Sequence, residues 1–287
     1  VMILFEEGKF LLTDPISLYL NEFKDSRVYV DYKDGQILSK PTKQITIKDL
    51  LTHTSGIIYP FAMKHPLSDK YIERGISQGG HDITPLNNLD DWSKALASMP
   101  LITEPGTGWY YGLNMDLLGR LVEVVSGLKF SDFLQERIFE PLEMVDTGFH
   151  VKDSNKDRFS NNYMFIDNAL VLVDDASKSQ YLNPPALEMG GSGLVGTVSD
   201  FYKFGQMLLN FGNFDGNQIL GRKTVELMVS NHLEDLVLPN NSKNFNPFQI
   251  GESDSAYGMG LTGYHLLYPA RAGRMASEGT FGWGGAA

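Results

Sequence analysis

Apolar residues at helical spacing recur through most of this chain, and they limit its fold more than any other feature of the sequence. The longest such stripe consists of Leu117, Leu118, Leu121, Val122 and Val125. Gly127 supplies a natural stop, and Asn114 or Asp116 is the expected cap. The pattern predicts a helix whose N-terminus directly follows Tyr111.

Other helices are predicted from a capping residue followed by spaced apolar residues. Thr46 and Asp49 form a capping-box-like pattern, and Thr197 with Asp200 repeats it. Asp90 is the expected cap of a third helix. Further helical segments are expected at residues 1–7, from Ser131 to Ile138, and around 222–230.

The chain changes character after Pro247, where glycines punctuate short apolar runs. Such runs lie at 257–261, at 264–268 and from Thr280 onward. They are typical of successive antiparallel strands.

The predicted elements therefore fall into two blocks of one multi-layer α+β domain. Residues 1–246 are expected to form a mainly helical region, and residues 247–287 the start of an antiparallel sheet. Within the first block no period holds between Tyr59 and Asp90, where prolines and glycines predict a long irregular segment.

The charge balance is acidic: 24 Lys and Arg residues face 35 Asp and Glu residues, for a net charge of −11. Nucleic acid and anionic membrane surfaces are poor partners for such a chain. No apolar run approaches the roughly 18 residues of a membrane span. The absence of cysteine excludes disulfides, thiolate catalysis and Cys-ligated zinc, but it leaves the compartment and the oligomeric state open.

Metal chemistry has little support in the sequence. The six histidines are scattered, and none forms an HxH or HExxH pair. Asp49 and His53 lie four residues apart on one predicted helix, but the sequence shows no candidate for a third ligand. We therefore interpret His53 as a structural residue and expect neither a metal nor a cofactor.

Two serine patterns are candidate nucleophile sites. Gly190-Gly191-Ser192-Gly193-Leu194 approaches GxSxG but lacks the final glycine, and a glycine turn before the next helix explains the same residues. Ser126-Gly127-Leu128-Lys129 matches SxxK, in which one helical turn places a lysine beside the serine it deprotonates. This match lies where Gly127 ends a helix, so we interpret it as a chance match.

Tyr111 is a candidate proton-transfer group. A tyrosine before a helix N-terminus has its phenolate favoured by the helix dipole, which is expected to lower a pKa that starts near about 10. The alternative is a structural role in an aromatic cluster with Trp109 and Tyr110.

Six segments, taken in order, carry a further pattern. They are VMILFEEGKFLLTDPISLYL at 1–20, TIKDLLTHTSG at 46–56, PGTGWYYGLNMDLLGRLVEVVSG at 105–127, PLEMVDTGF at 141–149, GGSGLVGTVSDFYKFGQML at 190–208 and GTFGWGG at 279–285. In this order the chain resembles the serine beta-lactamase-related family of class C beta-lactamases, DD-peptidases and family VIII carboxylesterases. The resemblance implies a beta-lactamase/transpeptidase-like fold, in which a helical region packs on a mostly antiparallel sheet with flanking helices.

The resemblance also implies three catalytic motifs. The first, SxxK, belongs at the start of the helix whose tail is residues 1–7, roughly three turns upstream of Val1. We therefore expect this chain to be a fragment, cut at both ends, that lacks the nucleophile and its lysine and is inactive by itself.

The second motif of the family is built on a tyrosine, which Tyr111 in Tyr111-Gly112-Leu113 matches. By resemblance, Tyr111 acts as general base and shares the proton of the missing serine with the missing lysine. Beta-lactamases typically carry Asn where this chain has Leu113, and a leucine side chain makes no hydrogen bond. We expect Leu113 and Ser192 to line the pocket.

The third motif, Lys-Thr-Gly in beta-lactamases, is matched by Trp283-Gly284-Gly285, the form of the esterase branch. An indole in place of a cation suits an uncharged ester better than a beta-lactam carboxylate. Gly284 and Gly285 would let a substrate approach the strand edge. The N–H of Ala286 is the expected oxyanion donor, together with that of the missing serine.

These features predict a serine hydrolase, namely a carboxylesterase that acts on small uncharged acyl esters through an acyl-enzyme. A beta-lactamase or D-amino-acid peptidase, with an amide substrate, is the enzymatic alternative. A non-catalytic homologue that binds a ligand or serves as a scaffold is the alternative from another class.

Overall fold

The structure is a computed structural model, and it describes residues 1–62, 64–76, 85–233, 256–261 and 263–285. Within them the chain forms nine α-helices: α1 (Met2–Glu6), α2 (Ile47–Leu51), α3 (Pro66–Glu73), α4 (Leu89–Ala97), α5 (Asn114–Ser126), α6 (Phe130–Leu134), α7 (Val198–Leu209), α8 (Arg222–Val229) and α9 (Pro269–Ala272). The strands there are β1 (Arg27–Lys33), β2 (Gln36–Pro41), β3 (Asn162–Ile166), β4 (Ala169–Asp174), β5 (Asn213–Phe214), β6 (Asn217–Gln218), β7 (Tyr257–Met259), β8 (Tyr264–Leu266) and β9 (Phe281–Gly282).

The strands pair as three separate antiparallel hairpins, β1-β2, β3-β4 and β5-β6, and as one three-stranded antiparallel sheet, β7-β8-β9. In this sheet Met259 lies opposite Tyr264, which lies opposite Gly282 on its other side. The strands predicted from the glycine-punctuated runs are confirmed. The three hairpins lie within the block expected to be mainly helical, and the boundary at residue 247 falls outside the described residues.

Helix α5 lies in the main hydrophobic core and contacts α1, α2, α4 and α6. Leu117 and Leu121 of α5, Trp92 of α4 and Phe133 of α6 are all buried to within 1%. Burying a side chain of this kind contributes about 1.5–3 kcal/mol. The core therefore fixes the first turn of α5 and the Tyr111 segment before it.

Capping interactions set several helix ends as the sequence predicted. The hydroxyl of Thr46 accepts the N–H of Asp49 at 3.1 Å, and the Asp49 carboxylate accepts the N–H of Thr46 at 2.9 Å. The hydroxyl of Thr197 accepts the N–H of Asp200 at 3.2 Å. Gly127 ends α5 in the left-handed region, with φ 73°. These three expectations of local geometry are confirmed.

Two helices begin at other residues than predicted. Asn88, not Asp90, caps α4, because its side-chain oxygen accepts the N–H of Asp91 at 2.8 Å. Helix α6 begins at Phe130, one residue before the predicted Ser131. A cap depends on which residue leaves the extended backbone, and neighbouring polar residues make that choice hard to predict.

Helix α3 lies inside the segment that was predicted to be irregular, so that prediction was wrong for this part of the chain. Pro66 occupies the first helical position, where the missing N–H has no intrahelical partner to lose. The His65 ring accepts the N–H of Leu67 at 3.2 Å, and Leu67 and Tyr71 anchor the helix in the core. The proline therefore starts a helix here.

The longest helix in the described ranges, α5, has 13 residues. None of the helices in that part of the chain has the length and apolar character of a membrane span.

Candidate active site

Tyr111 lies in a cluster of aromatic side chains from separate parts of the chain. Its ring centroid is 5.2 Å from that of His53, 4.8 Å from that of Tyr59 and 5.5 Å from that of Trp283. The ring of Trp109 is stacked at 6.5 Å. The cluster contains more residues than the sequence suggested, because His53, Tyr59 and Trp283 are distant from Tyr111 along the chain.

Backbone contacts hold the tyrosine motif against the segment that carries Tyr59. The N–H of Tyr59 donates to the carbonyl oxygen of Tyr111 at 3.2 Å. Gly112 permits this close approach, because a Cβ there would lie 2.1 Å from the carbonyl oxygen of Ile57. The glycine of the Tyr111-Gly112-Leu113 motif is therefore required by packing.

His53 is a buried ring that supports Trp283. The two rings are stacked at 13° with centroids 5.8 Å apart. The Asn114 amide donates to His53 Nδ1 at 2.8 Å, and the Ser55 hydroxyl fixes that amide by donating to its oxygen at 2.5 Å. Burial lowers the pKa of His53 to about 3, so the ring is neutral at pH 7, with its proton on Nε2. His53 thus has a structural place in the site.

The pKa of Tyr111 moves opposite to the direction expected from the sequence. Burial among the rings raises it most, a hydrogen bond with Trp283 lowers it, the charge of Asp116 raises it, and a hydrogen bond with Tyr59 lowers it. The N-terminus of α5 does follow Tyr111, but its dipole does not outweigh the lost hydration. Tyr111 is a neutral phenol at pH 7. It can therefore accept a proton only if a neighbouring base takes its own proton.

The first turn of α5 supplies two fully buried polar side chains, Asn114 and Asp116. Neither caps the helix as expected: Leu113 is at the N-cap position, without a side-chain cap. Asp116 instead accepts the Tyr59 hydroxyl at 3.1 Å and the N–H of Gly191 at 2.8 Å. Sequence reasoning missed both as site residues, and the available signal was two polar residues beside an apolar stripe, directly after the tyrosine motif.

The SxxK match at Ser126 and Lys129 does not bring the two side chains together. The Ser126 hydroxyl donates to the carbonyl oxygen of Val122 at 2.6 Å, and Lys129 pairs with Glu188. This agrees with its interpretation as a chance match.

The two residues expected to line the pocket differ in their surroundings. Leu113 is fully buried in the main core, and its pocket-lining role stays a prediction. Ser192 is exposed in the glycine turn before α7. Leu113 is at the N-cap position of α5, and the path of the backbone there determines where its side chain lies. A comparison of motifs does not show that path.

Trp283 directly follows β9, and the sheet thereby brings it to Tyr111. Gly284 and Gly285 come next and are both exposed. The expected oxyanion donor, Ala286, lies outside the described residues. In the described ranges no group of three His, Asp or Glu side chains is arranged to hold a metal ion.

Comparison with known proteins decides the family. A family model described as Beta-lactamase matches residues 1–287. The chain belongs to the Beta-lactamase family. Protein Rv1367c of Mycobacterium tuberculosis is 32% identical over 289 residues, which cover 99% of this chain and 68% of the relative. Esterase EstB of Burkholderia gladioli is 31% identical over 215 residues, which cover 70% of this chain and 51% of that esterase.

A solved structure of the Beta-lactamase fold supports the same conclusion. EstCE1, described as a hydrolase with promiscuous acyltransferase activity, matches with a TM-score of 0.75 and 25% identity, over 99% of this chain and 70% of its own. The expected beta-lactamase/transpeptidase-like α+β fold is confirmed. The names of these two relatives describe an esterase and a hydrolase.

Proposed function

We propose that the protein is a serine hydrolase of esterase type, which cleaves small uncharged acyl esters through an acyl-enzyme. The observation that carries the proposal is the position of Trp283, whose ring lies 5.5 Å from that of Tyr111. In the beta-lactamase form of the motif a lysine stands there and holds a substrate carboxylate. An indole offers apolar surface instead, and the charge acting on the pKa of Tyr111 is the negative charge of Asp116. Both features disfavour an anionic group beside Tyr111.

The proposed reaction has two acyl-transfer steps. The Oγ of the SxxK serine, expected upstream of Val1, adds to the ester carbonyl carbon, and its proton passes through the lysine and Tyr111 to the departing alcohol. Water then adds to the acyl-enzyme and gives its proton to the same groups, and the serine takes a proton back as the acid leaves. A tyrosine that stays protonated at pH 7 suits the donation of a proton to the leaving alcohol.

The segment after β9 is proposed to bind the ester. Gly284 and Gly285 are exposed and present backbone without side chains, which lets a substrate lie along the strand edge. The N–H groups of Ala286 and of the nucleophilic serine are proposed to hold the oxyanion.

The test measures two substrates with the full-length protein. We expect short-chain p-nitrophenyl esters to be hydrolysed much faster, per mole of enzyme, than a chromogenic cephalosporin. Faster cephalosporin turnover would establish the beta-lactamase alternative instead.

Residues 1–287 alone serve as the control. A serine-directed fluorophosphonate is expected to label the full-length protein and to leave this chain unlabelled. Labelling of the chain would identify Ser192 as a nucleophile candidate again. If the full-length protein neither hydrolyses either substrate nor takes the label, the non-catalytic alternative is correct.

A further inference from the structure

A buried carboxylate, that of Asp116, lies close to Tyr111, and no cation is beside it among the residues that the structure describes. Asp116 is fully buried, and its two oxygens accept the N–H of Gly191 and the hydroxyl of Tyr59. Within the described ranges, none of the hydrogen bonds or charges that act on Asp116 comes from a Lys, Arg or His side chain. Burying a carboxylate in this way is unfavourable, which makes Asp116 a candidate for a role other than packing.

The glycine turn at 190–193 closes the space around this carboxylate. A Cβ at Gly191 would lie 2.5 Å from the Tyr59 hydroxyl oxygen and 3.1 Å from both carboxylate oxygens of Asp116. At Gly190 a Cβ would lie 2.1 Å from the carbonyl oxygen of Met115. Both glycines are needed for the turn to reach Asp116. This packing explains the two glycines before Ser192, in the segment that resembles GxSxG.

Tyr59 connects the carboxylate to Tyr111. Its hydroxyl is 3.1 Å from Asp116 and is also hydrogen-bonded to the Tyr111 hydroxyl. A phenol has one proton to donate. When Asp116 is ionised it accepts that proton, and the bond between the two tyrosines is then made with the proton of Tyr111. The oxygen of Tyr111 then acts as an acceptor on its other side, where it is hydrogen-bonded to Trp283.

We infer that Asp116 is a positioning residue of the active site, which acts through Tyr59 to set the direction of the hydrogen bond at Tyr111. The ionised carboxylate turns the Tyr111 hydroxyl inward, so that its oxygen accepts a hydrogen bond from the nucleophile. When Asp116 is protonated, both hydrogen bonds reverse direction: Asp116 donates to Tyr59, and Tyr59 donates to Tyr111. This inference rests on the proposed role of Tyr111 in proton transfer.

In the described part of the chain, few ionisable groups face Asp116, Tyr59 and Tyr111. Burial raises the pKa of Asp116 to about 6, which places its titration close to the physiological range. Tyr59 contacts Asp116 directly and Tyr111 is hydrogen-bonded to Tyr59, and both tyrosine pKa values are raised, chiefly by burial. His53 faces Tyr111 and is neutral above about pH 3. Further along α5, Arg120 pairs with Asp90 and with Glu123.

The first experiment follows the tyrosines themselves in the full-length protein labelled with ¹³Cζ-tyrosine, with Tyr111→Phe and Tyr59→Phe used for assignment. In the unsubstituted protein we expect the Tyr59 and Tyr111 signals to shift with a midpoint near pH 6, as Asp116 titrates. Asp116→Asn should lower the pKa of Tyr111, because it removes a negative charge. Tyr59→Phe should raise it, because the Tyr59 hydroxyl can turn to donate to the Tyr111 phenolate, whereas phenylalanine cannot.

Opposite shifts in the two variants distinguish a positioning role from a structural one. Asp200→Asn is the matched control, since Asp200 is also buried but accepts the N–H of Asp146 and the hydroxyl of Thr147. It should leave the Tyr111 titration unchanged. Equal shifts in both site variants, or no inflection near pH 6 in the unsubstituted protein, would overturn the inference. The inflection decides the question even if Asp116→Asn does not fold.

The second experiment measures ester hydrolysis against pH. Asp116→Asn is expected to lower kcat roughly 10-fold to 100-fold at pH 7 with little change in KM, because a misplaced reacting group costs up to about 100-fold in rate. It should also abolish the acidic limb near pH 6, which Asp200→Asn should keep. An unchanged acidic limb in Asp116→Asn would contradict the inference. A full-length protein without esterase activity would refute the proposed function alone, because the NMR titration does not depend on turnover.

Discussion

At the scale of the residue, Tyr111 shows how burial overrides a rule based on local sequence. A helix dipole is worth about 0.3–1 kcal/mol near the first turn, which is less than one pKa unit. Desolvation of a buried group shifts a pKa by up to about 3–5 units. The aromatic rings of His53, Tyr59 and Trp283 surround Tyr111, so the larger effect decides the direction.

The hydroxyl of Tyr111 is predicted to be essential for turnover. In the full-length protein, Tyr111→Phe should lower kcat for ester hydrolysis by about 10²–10⁴-fold, because it removes the proton-transfer group. The ring contacts remain, so the circular dichroism spectrum and the unfolding midpoint should change little. Tyr110→Phe is the matched control, since the adjacent Tyr110 packs against the main core and is expected to keep normal turnover. Equal activity of the two variants would remove Tyr111 from the mechanism.

At the scale of the element, helix ends are decided by a few neighbouring residues. Thr46, Thr197 and Gly127 were predictable because each acts on backbone groups within one turn. The start of α5 was not, since Asn114 and Asp116 bond to residues far along the chain. Asn114 and Asp116 are both of the residue type that caps helices, but in the structure their side chains bond to His53 and Tyr59 instead.

Two glycines with open space at the Cβ position give a matched test of helix geometry. Gly127 has φ 73°, whereas Gly205 lies inside α7, and a Cβ at either position would meet nothing within 4 Å. Gly127→Ala should lower the free energy of unfolding by about 1–2 kcal/mol, because alanine is strained in the left-handed region. Gly205→Ala should raise it by up to about 1 kcal/mol, because alanine is the better helix former. Urea denaturation measures both, and changes of the same sign would contradict the assigned backbone geometry.

At the scale of the whole molecule, the neutral burial of His53 links stability to pH. The unfolded chain binds a proton on this ring near pH 6.5, whereas the folded protein does so only near pH 3. The folded state therefore loses stability as the pH falls through this range, by about 2 kcal/mol between pH 7 and pH 5. Above the unfolded pKa the contribution is constant.

His53→Asn should flatten this dependence. Asparagine keeps a side-chain acceptor for Asn114, has no titration in this range and tolerates the positive φ of 55° at this position. Denaturant unfolding at several pH values between 7 and 4 measures the slope. The exposed His150 provides the control, and His150→Asn should retain the slope of the unsubstituted protein. A slope that is the same in His53→Asn would show that other groups govern the acid sensitivity.

The sequence by itself determined the local features of this protein. Helical stripes, the capping residues Thr46 and Thr197, the stop at Gly127 and the strands after residue 256 are properties of neighbouring residues. The order of the family's segments added the fold and the candidates Tyr111 and Trp283. All of this follows from short-range periodicity and from motif order.

The tertiary structure alone decided how those candidates are held. The ring of His53 stacks on that of Trp283. Asp116 accepts hydrogen bonds from the Tyr59 hydroxyl and from the N–H of Gly191. Each of these contacts joins residues from separate elements, so no window of sequence contains it. The direction of the pKa shift at Tyr111 follows from the same contacts, because hydration is lost only when distant segments pack around the hydroxyl.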